Sequence, residues 1–248
     1  MLANKIIVVT GGTKGIGRSI VLEFLKQRAQ VITIYSKDDV AAEKMKDSLS
    51  VDKQKRFFLY KGRVEDIDFL RSFLKEIETK FGKLNVLINN AGINRDNLFL
   101  GMEEDDWDRV ITTNLKGTLN TSLLASEIMK KSAGPSYIIN ISSISGIFGR
   151  VGQVNYACSK GAIIGITRLL AKKFAKYRIF VNAVVPGLIR TQMIEDMSGE
   201  KAEEIIKATI LKRIGEPEEV AKTVLFLVSG DFSYASGACI KVDGGYLK

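Results

Sequence analysis

Short, almost continuously apolar runs recur along this 248-residue chain, separated by longer segments of helical periodicity, and no other feature constrains the fold as much. Ile6–Val9, Val31–Tyr35, Phe57–Tyr60, Val86–Ile88, Tyr137–Ile141, Ile179–Val185 and Cys239–Val242 read as strands. Unbroken apolar character is the signature of a strand covered on both faces, so a parallel sheet with helices on either side is expected. Ile16–Gln27, Val40–Ser50, Ile67–Phe81, Leu115–Lys131, Tyr156–Lys176 and Pro217–Val228 are long enough to be its crossover helices. The pattern predicts one α/β domain over 1–248: a doubly wound, seven-stranded parallel sheet. No linker or repeat marks the start of a second domain. One irregular stretch, Gly187 to Gly215 with a short helical piece around Glu200–Leu211, suits a lid over a site.

The chain contains no histidine, which excludes Ser-His-Asp and Cys-His catalysis and the HExxH zinc sites. Tyr, Lys, Asp, Glu and Cys are the remaining acids. Cys158 and Cys239 show no CxxC spacing, so no metal site or disulfide framework is expected. No apolar run reaches the roughly 20 residues of a membrane helix, and no signal-peptide pattern precedes the first strand. A cytoplasmic protein is expected, or one of an organelle matrix if a targeting peptide has been removed. Lys plus Arg exceed Asp plus Glu by 37 to 28, a formal charge of +9 that favours anionic ligands. The basic residues are interleaved with acidic ones, and no arginine-rich arm, zinc finger or RNP motif accompanies them, so nucleic acid is not expected.

After the first strand stands Thr10-Gly11-Gly12-Thr13-Lys14-Gly15-Ile16-Gly17, opening directly into a helix. Glycines there permit a tight turn and close approach of backbone to a pyrophosphate, while the helix N-terminus supplies free N–H groups. The spacing is Gly-x-x-x-Gly-x-Gly, and a purely structural turn is the plain alternative. A second cofactor contact is expected at the end of the second strand, where a carboxylate marks NAD and a basic residue marks NADP. The strand ends Tyr35-Ser36-Lys37, with no carboxylate before Asp38. Lys14, Ser36 and Lys37 can converge on a 2′-phosphate, which favours NADP; otherwise Lys37 is a solvated loop charge.

Tyr156 and Lys160 stand four apart at the start of a helix and so share a face. A neighbouring ammonium is expected to lower the tyrosine pKa from about 10 toward working pH, as a general acid/base requires. The strand Tyr137–Ile141 ends in Ser142-Ser143, placing a hydroxyl at the carboxyl edge of the sheet, where Ser143 can hydrogen-bond a carbonyl. The fourth strand ends there too, in Asn89-Asn90-Ala91-Gly92. Asn114, near the start of a helix, is a further candidate, with helix capping as its structural alternative. Cys158 reads as a small buried residue rather than a reactive thiol.

Together these motifs resemble the short-chain dehydrogenase/reductase family over essentially the whole chain, and within it the 3-oxoacyl-[acyl-carrier-protein] reductases of fatty acid synthesis. Thr10–Gly17 matches the cofactor turn, Asn89–Gly92 the Asn-Asn-Ala-Gly motif, and Val242-Asp243-Gly244-Gly245 the C-terminal stretch. Gly92–Leu98, Glu104–Trp107 and Arg213–Ala221 carry the closer likeness. The resemblance implies a catalytic tetrad of Asn114, Ser143, Tyr156 and Lys160. It also implies cofactor contacts from Gly11, Thr13, Lys14, Gly15, Ile16, Gly17, Asn90, Ala91 and Gly92, from Tyr156 and Lys160, and from Pro186, Gly187, Ile189 and Thr191 beside the nicotinamide. Where the family has Asp or Asn before Val at the adenine, this chain has Arg63-Val64; Arg63 can stack on the adenine or add positive charge near the nucleotide but cannot accept the amino hydrogen bond, while Val64 can still act through its backbone.

The implied reaction is NADPH-dependent reduction of a 3-oxoacyl thioester, carried on acyl carrier protein or coenzyme A. Ser143 would hold the ketone oxygen and Tyr156 would protonate it. Lys160 would bind the ribose and tune Tyr156, and Asn114 would carry a water linking Lys160 to solvent. A homotetramer built on Leu115–Lys131 and Tyr156–Lys176 is implied as well. An acidic carrier would dock on Lys172, Lys173, Lys176 and Arg178, or on Lys130 and Lys131. The alternatives are a reductase of the same family acting on another ketone, sugar or alcohol, and a non-catalytic NADP-binding subunit.

Overall fold

The computed structural model describes residues 2–191, 203, 204 and 206–247. Among them seven strands form one parallel sheet: β1 (Ile6–Thr10), β2 (Gln30–Tyr35), β3 (Phe57–Lys61), β4 (Val86–Asn89), β5 (Ser136–Ile141), β6 (Ile179–Pro186) and β7 (Cys239–Val242), in the order β3-β2-β1-β4-β5-β6-β7. The order reverses between β1 and β4, and a doubly wound sheet opens a crevice at that switch point, outside the carboxyl ends of its strands.

Side chains of successive strand residues alternate between two apolar layers. Ile7 and Val9 of β1 pack on one side with Ile20 and Phe24 of helix α1 (Gly15–Lys26) and Val224 and Leu227 of the last helix, Pro217–Val228. Ile6 and Val8 face the other, among Leu70, Phe73 and Ile77 of α4 (Ile67–Phe81) and Leu170 and Phe174 of the long helix Val154–Phe174. Each such side chain contributes about 1.5–3 kcal/mol on burial, and sheets covered on both faces leave only strand ends free for chemistry.

The helix expected over Val40–Ser50 ends earlier, as α2 (Asp39–Asp47), and a further short helix, α3 (Val51–Gln54), follows it. The one expected over Leu115–Lys131 begins earlier: α5 (Glu104–Val110) runs through a π-helical turn, Ile111–Lys116, into α6 (Gly117–Met129). A short helix, α7 (Ser145–Phe148), precedes the long one, α8 (Val154–Phe174). The core of the expected lid, 192–202 and 205, lies outside the described residues, and with it part of the piece placed at Glu200–Leu211. Its described ends are pinned together by the Ile189–Gly215 bridge, in which Arg190 N donates to the Gly215 carbonyl at 2.8 Å and Gly215 N to that of Leu188 at 2.9 Å. Among the described residues no helix is long and apolar enough to cross a membrane.

Candidate active site

At the end of β1 the chain reverses through Gly11 (φ 67°), whose N–H donates to the Ile34 carbonyl at 2.8 Å. A Cβ on Gly17 would stand 2.2 Å from the Gly11 carbonyl oxygen, and one on Gly12 would stand 2.1 Å from Thr33 Oγ1, so both positions require glycine. The Asn90 side chain braces the turn, donating through Nδ2 to the carbonyls of Thr10 at 3.0 Å and Gly11 at 2.9 Å. Thr10 Oγ1 in turn accepts from the N–H groups of Asn90 and Ala91, each at 3.0 Å. Lys14, the residue before α1, makes no side-chain cap, which leaves the first N–H groups of this 12-residue helix facing the crevice.

The turn forms one end of a cleft of about 910 Å³. Gly11, Lys14, Gly15, Ile16, Gly17, Asn90, Ala91, Gly92, Ser143, Tyr156, Lys160, Pro186, Gly187, Ile189 and Thr191 all line it, so the structure brings most of the expected contacts together. Others lie off its wall. Thr13 is buried beside the turn, and Val64 is buried against Gly117. Ser36 and Lys37 are exposed beyond β2, and Arg63 is exposed and paired with Glu65, its Nε donating at 2.7 Å. Lys14 is paired with Asp38, whose carboxyl is held below its ordinary range by that bond and by the N–H of Ala41.

At the other end α8 carries Tyr156 and Lys160. The carboxyl end of β5 is tied to this helix by Ser142 Oγ, which donates to the Lys160 carbonyl at 2.7 Å. Gly146 and Gly161 let α7 and α8 touch, since a Cβ on Gly146 would lie 2.6 Å from Gly161 N. Ser143 thereby comes into hydrogen-bond contact with the Tyr156 phenol. The Lys160 ammonium is 4% exposed, donates to the Ile141 carbonyl at 2.9 Å, and lies 5.6 Å from the centre of the Tyr156 ring.

The expected lowering of the tyrosine pKa is not what these surroundings produce. Burial pushes the Tyr156 phenol up to about 12 although one edge of the ring opens on the cleft; the Ser143 hydrogen bond pulls the other way and the Asp96 carboxylate adds to the rise. Burial also holds the Lys160 ammonium down to about 8. Four-residue spacing reveals that the two groups are neighbours, whereas the sign follows from desolvation, which disfavours the charged form of each.

Asn114 sits inside the π-helical turn rather than at a helix start, and it caps nothing. Fully buried, it accepts from Ile93 N at 2.8 Å and donates to the Ile93 carbonyl at 2.9 Å and to Ser159 Oγ at 3.0 Å. A Cβ on Gly92 would lie 3.2 Å from Asn114 Oδ1 and 3.4 Å from Lys160 Nζ, so this glycine leaves the two polar groups flanking one point. Cys158 is exposed, contrary to its buried reading; two residues from Tyr156, it faces away from the Tyr156–Lys160 side of α8.

Sequence reasoning missed three polar residues here. Gln153 is buried, accepts from Ser145 Oγ at 3.1 Å and donates to Asp96 Oδ2 at 2.8 Å on the cleft wall. Asn155, also buried, donates to the Arg95 carbonyl at 3.0 Å and to that of Asp106 at 3.2 Å. Asp96 lies within Gly92–Leu98, which served only as a point of likeness; Gln153 and Asn155 flank the Tyr156 motif without a pattern of their own.

A glycine cradle closed to any Cβ, an uncapped helix N-terminus and a cleft running on to a Tyr–Lys pair together fit a nicotinamide dinucleotide. Residues 11–247 match the family described as "Enoyl-(Acyl carrier protein) reductase". Among curated proteins, the chain is 40% identical to the 3-oxoacyl-[acyl-carrier-protein] reductase FabG of Thermotoga maritima over 249 positions, covering 99% of each. Its likeness to the protein of that name from Staphylococcus aureus is 39% over 246 positions, covering 99% of both, and to that from Chlamydia trachomatis 37% over 246 positions, covering 99% of this chain and 98% of the relative. With this coverage and a doubly wound sheet holding a nicotinamide-cofactor cleft, the chain belongs to the short-chain dehydrogenase/reductase family.

Proposed function

We propose that this protein reduces the ketone of a 3-oxoacyl thioester to the 3-hydroxyacyl thioester, using NADPH. The observation that carries this reading is the contact of the Ser143 and Tyr156 hydroxyls beside a buried Lys160 on the wall of a dinucleotide-sized cleft. Two hydroxyls converging on one point suit a carbonyl oxygen. The relatives, 3-oxoacyl-[acyl-carrier-protein] reductases by name, supply the substrate class.

The bound nicotinamide supplies the hydride. Ser143 donates a hydrogen bond to the ketone oxygen, and Tyr156 gives that oxygen its phenolic proton as negative charge develops. A phenol near 12 is fully protonated at neutral pH, as the proton donor must be, and the adjacent ammonium stabilises the phenolate left behind. Lys160 additionally holds the nicotinamide ribose. Asn114, flanking the same point as the Lys160 ammonium, carries the water through which the proton is replaced.

For NADPH over NADH the supporting residues are Lys14, Ser36 and Lys37, near the ribose end of the cleft. One observation favours a second reading: Asp38, held ionised by Lys14, is a carboxylate that can accept from a ribose 2′-hydroxyl. An acidic carrier protein fits the basic group Lys172, Lys173, Lys176 and Arg178. The alternative patch is largely neutralised, since Lys130 pairs with Glu127 at 2.6 Å and Lys131 with Glu78 at 2.5 Å. A cytoplasmic homotetramer of single-domain subunits, with a lid over Gly187–Gly215, completes the proposal.

Cofactor oxidation with an acetoacetyl thioester, run with NADPH and NADH in parallel, tests the reading. The expected result is turnover with a kcat/KM at least about tenfold higher for NADPH. Preference for NADH would transfer the ribose contact to Asp38. Binding of cofactor without turnover of this ketone would move the protein to another carbonyl substrate or to a binding role.

A further inference from the structure

Gln153 occupies the N-cap position of α8, yet its side chain makes no capping bond to the helix. Short side chains that reach the first N–H groups are preferred at such a position. Gln153 instead is only 6% exposed, accepts from Ser145 Oγ at 3.1 Å and donates to Asp96 Oδ2 at 2.8 Å. Gly149 (φ 71°) and Gly152 (φ 79°) turn the chain back between α7 and α8, which lets the amide meet Ser145. A buried amide at a helix start that leaves the helix uncapped is spent on something other than the helix.

The bonds run on to Ser143. Ser145, also buried, donates its backbone N–H to Ser143 Oγ at 3.2 Å, and Ser143 is in hydrogen-bond contact with the Tyr156 phenol. Asp96, Gln153, Ser145 and Ser143 thus stand in one hydrogen-bonded series along the cleft wall, from a carboxylate to the hydroxyl that meets the ketone in the reading above.

The series has one direction. A carboxylate only accepts hydrogen bonds, whereas an amide can present either its oxygen or its nitrogen. Asp96 therefore turns the Gln153 nitrogen toward itself and the oxygen toward Ser145, and that oxygen obliges the Ser145 hydroxyl to donate. Tied back in this way, Ser145 is held where its N–H meets Ser143 Oγ. A serine hydroxyl has a single hydrogen. With a lone pair engaged by Ser145, Ser143 directs that hydrogen away from Ser145, to the side where the phenol stands.

We propose that Gln153 is a positioning residue: with Asp96 and Ser145 it fixes the direction in which the Ser143 hydroxyl donates, acting through Ser143 rather than on the ketone. This rests on the reductase reading above and adds a group behind its serine. The test is a double-mutant cycle on kcat, with an acetoacetyl thioester and NADPH, over wild type, Gln153→Leu, Ser143→Ala and the double variant. NADPH affinity is measured by calorimetry on each. Gln153→Leu removes both side-chain bonds. It is expected to lower kcat about tenfold in the wild-type background and less than about twofold in the Ser143→Ala background, with NADPH affinity within about twofold throughout. Asp96 is exposed, so Asp96→Ala reads the same series without altering the interior. That change should lower kcat about fivefold, and Asp96→Asn, whose carbonyl still accepts from Gln153, should hold it within about twofold of wild type.

Equal losses from Gln153→Leu in both backgrounds would overturn the proposal, since the amide would then act independently of Ser143. An unchanged kcat in Gln153→Leu would overturn it as well. NADPH affinity that falls in step with kcat would assign Gln153 to holding the start of α8, and would also overturn it while leaving the reductase reading standing. A wild type that binds NADPH and reduces no thioester would defeat the reductase reading itself, and the proposal with it.

Discussion

Asn90, which braces the glycine turn, and Lys160, beside Tyr156, line one cleft, and their polar groups are treated in opposite ways. Asn90 gives its amide nitrogen to the carbonyls of Thr10 and Gly11, and its backbone N–H to Thr10 Oγ1. Lys160 buries an ammonium with three hydrogens, and among the described residues it donates to the Ile141 carbonyl. The glycine turn is a shape, fixed by hydrogen bonds between uncharged groups. The catalytic end is a pair of desolvated titratable groups, whose unfavourable burial poises them to react. Perturbation should therefore show chiefly in cofactor binding at one end and in turnover and pH response at the other.

The largest effect belongs to the catalytic end. Lys160→Met should lower kcat by about 100- to 1,000-fold in a cofactor-oxidation assay while the protein stays folded. Asn114→Ala should cost about 2–4 kcal/mol in denaturant unfolding, because the Ile93 N–H and carbonyl both lose their partner in the interior. Equal stability for this variant would show that the π-helical turn is held by packing alone. At the nucleotide end, Gly12→Ala should cost about 2–3 kcal/mol and weaken cofactor binding in calorimetry, since the new Cβ would sit 2.1 Å from Thr33 Oγ1. The smallest effect is expected from the exposed Lys37: its change to Ala should weaken NADPH binding about threefold and leave NADH unaffected.

The two ends also differ in pH response. The Lys160 ammonium is held down to about 8 by burial, so its charged form is lost, and kcat/KM falls, as pH rises through about 8. Tyr156, near 12, contributes no limb in the range of an ordinary assay. Stability runs the other way. Above about 8 the folded state has released a proton that the unfolded lysine keeps until about 10.5, so between these values rising pH favours folding through this group. Thermal melts of the wild type and Lys160→Met from pH 7 to 10 should show that gain in the wild type alone.

Much of this was legible in the sequence for a physical reason. Ile7, Val31, Leu87 and Val181 belong to strands buried on both faces, so hydrophobic continuity alone marked the sheet, each strand to within about one residue at either end. The glycine turn was legible because only glycine survives there. What stayed hidden depends on surroundings. The polar segment Glu104–Val110 gave no helical stripe, so α5 went unseen, and with it the π turn that carries Asn114 into the interior. Spacing put Tyr156 beside Lys160 but said nothing of the desolvation that reverses the expected shift. It likewise could not show that Cys158 faces outward, or that Gln153 and Asn155 turn inward to hold a loop some 50 residues away.

The most direct test of two separable ends is to titrate NADPH into Tyr156→Phe and assay the same preparation for ketone reduction. The account predicts affinity within about threefold of wild type and turnover reduced by about 1,000-fold or more, because the phenolic proton is lost and the cradle is untouched. Turnover that survives the substitution would contradict the assignment of Tyr156 as the acid, and with it the division of labour between the two ends of the cleft.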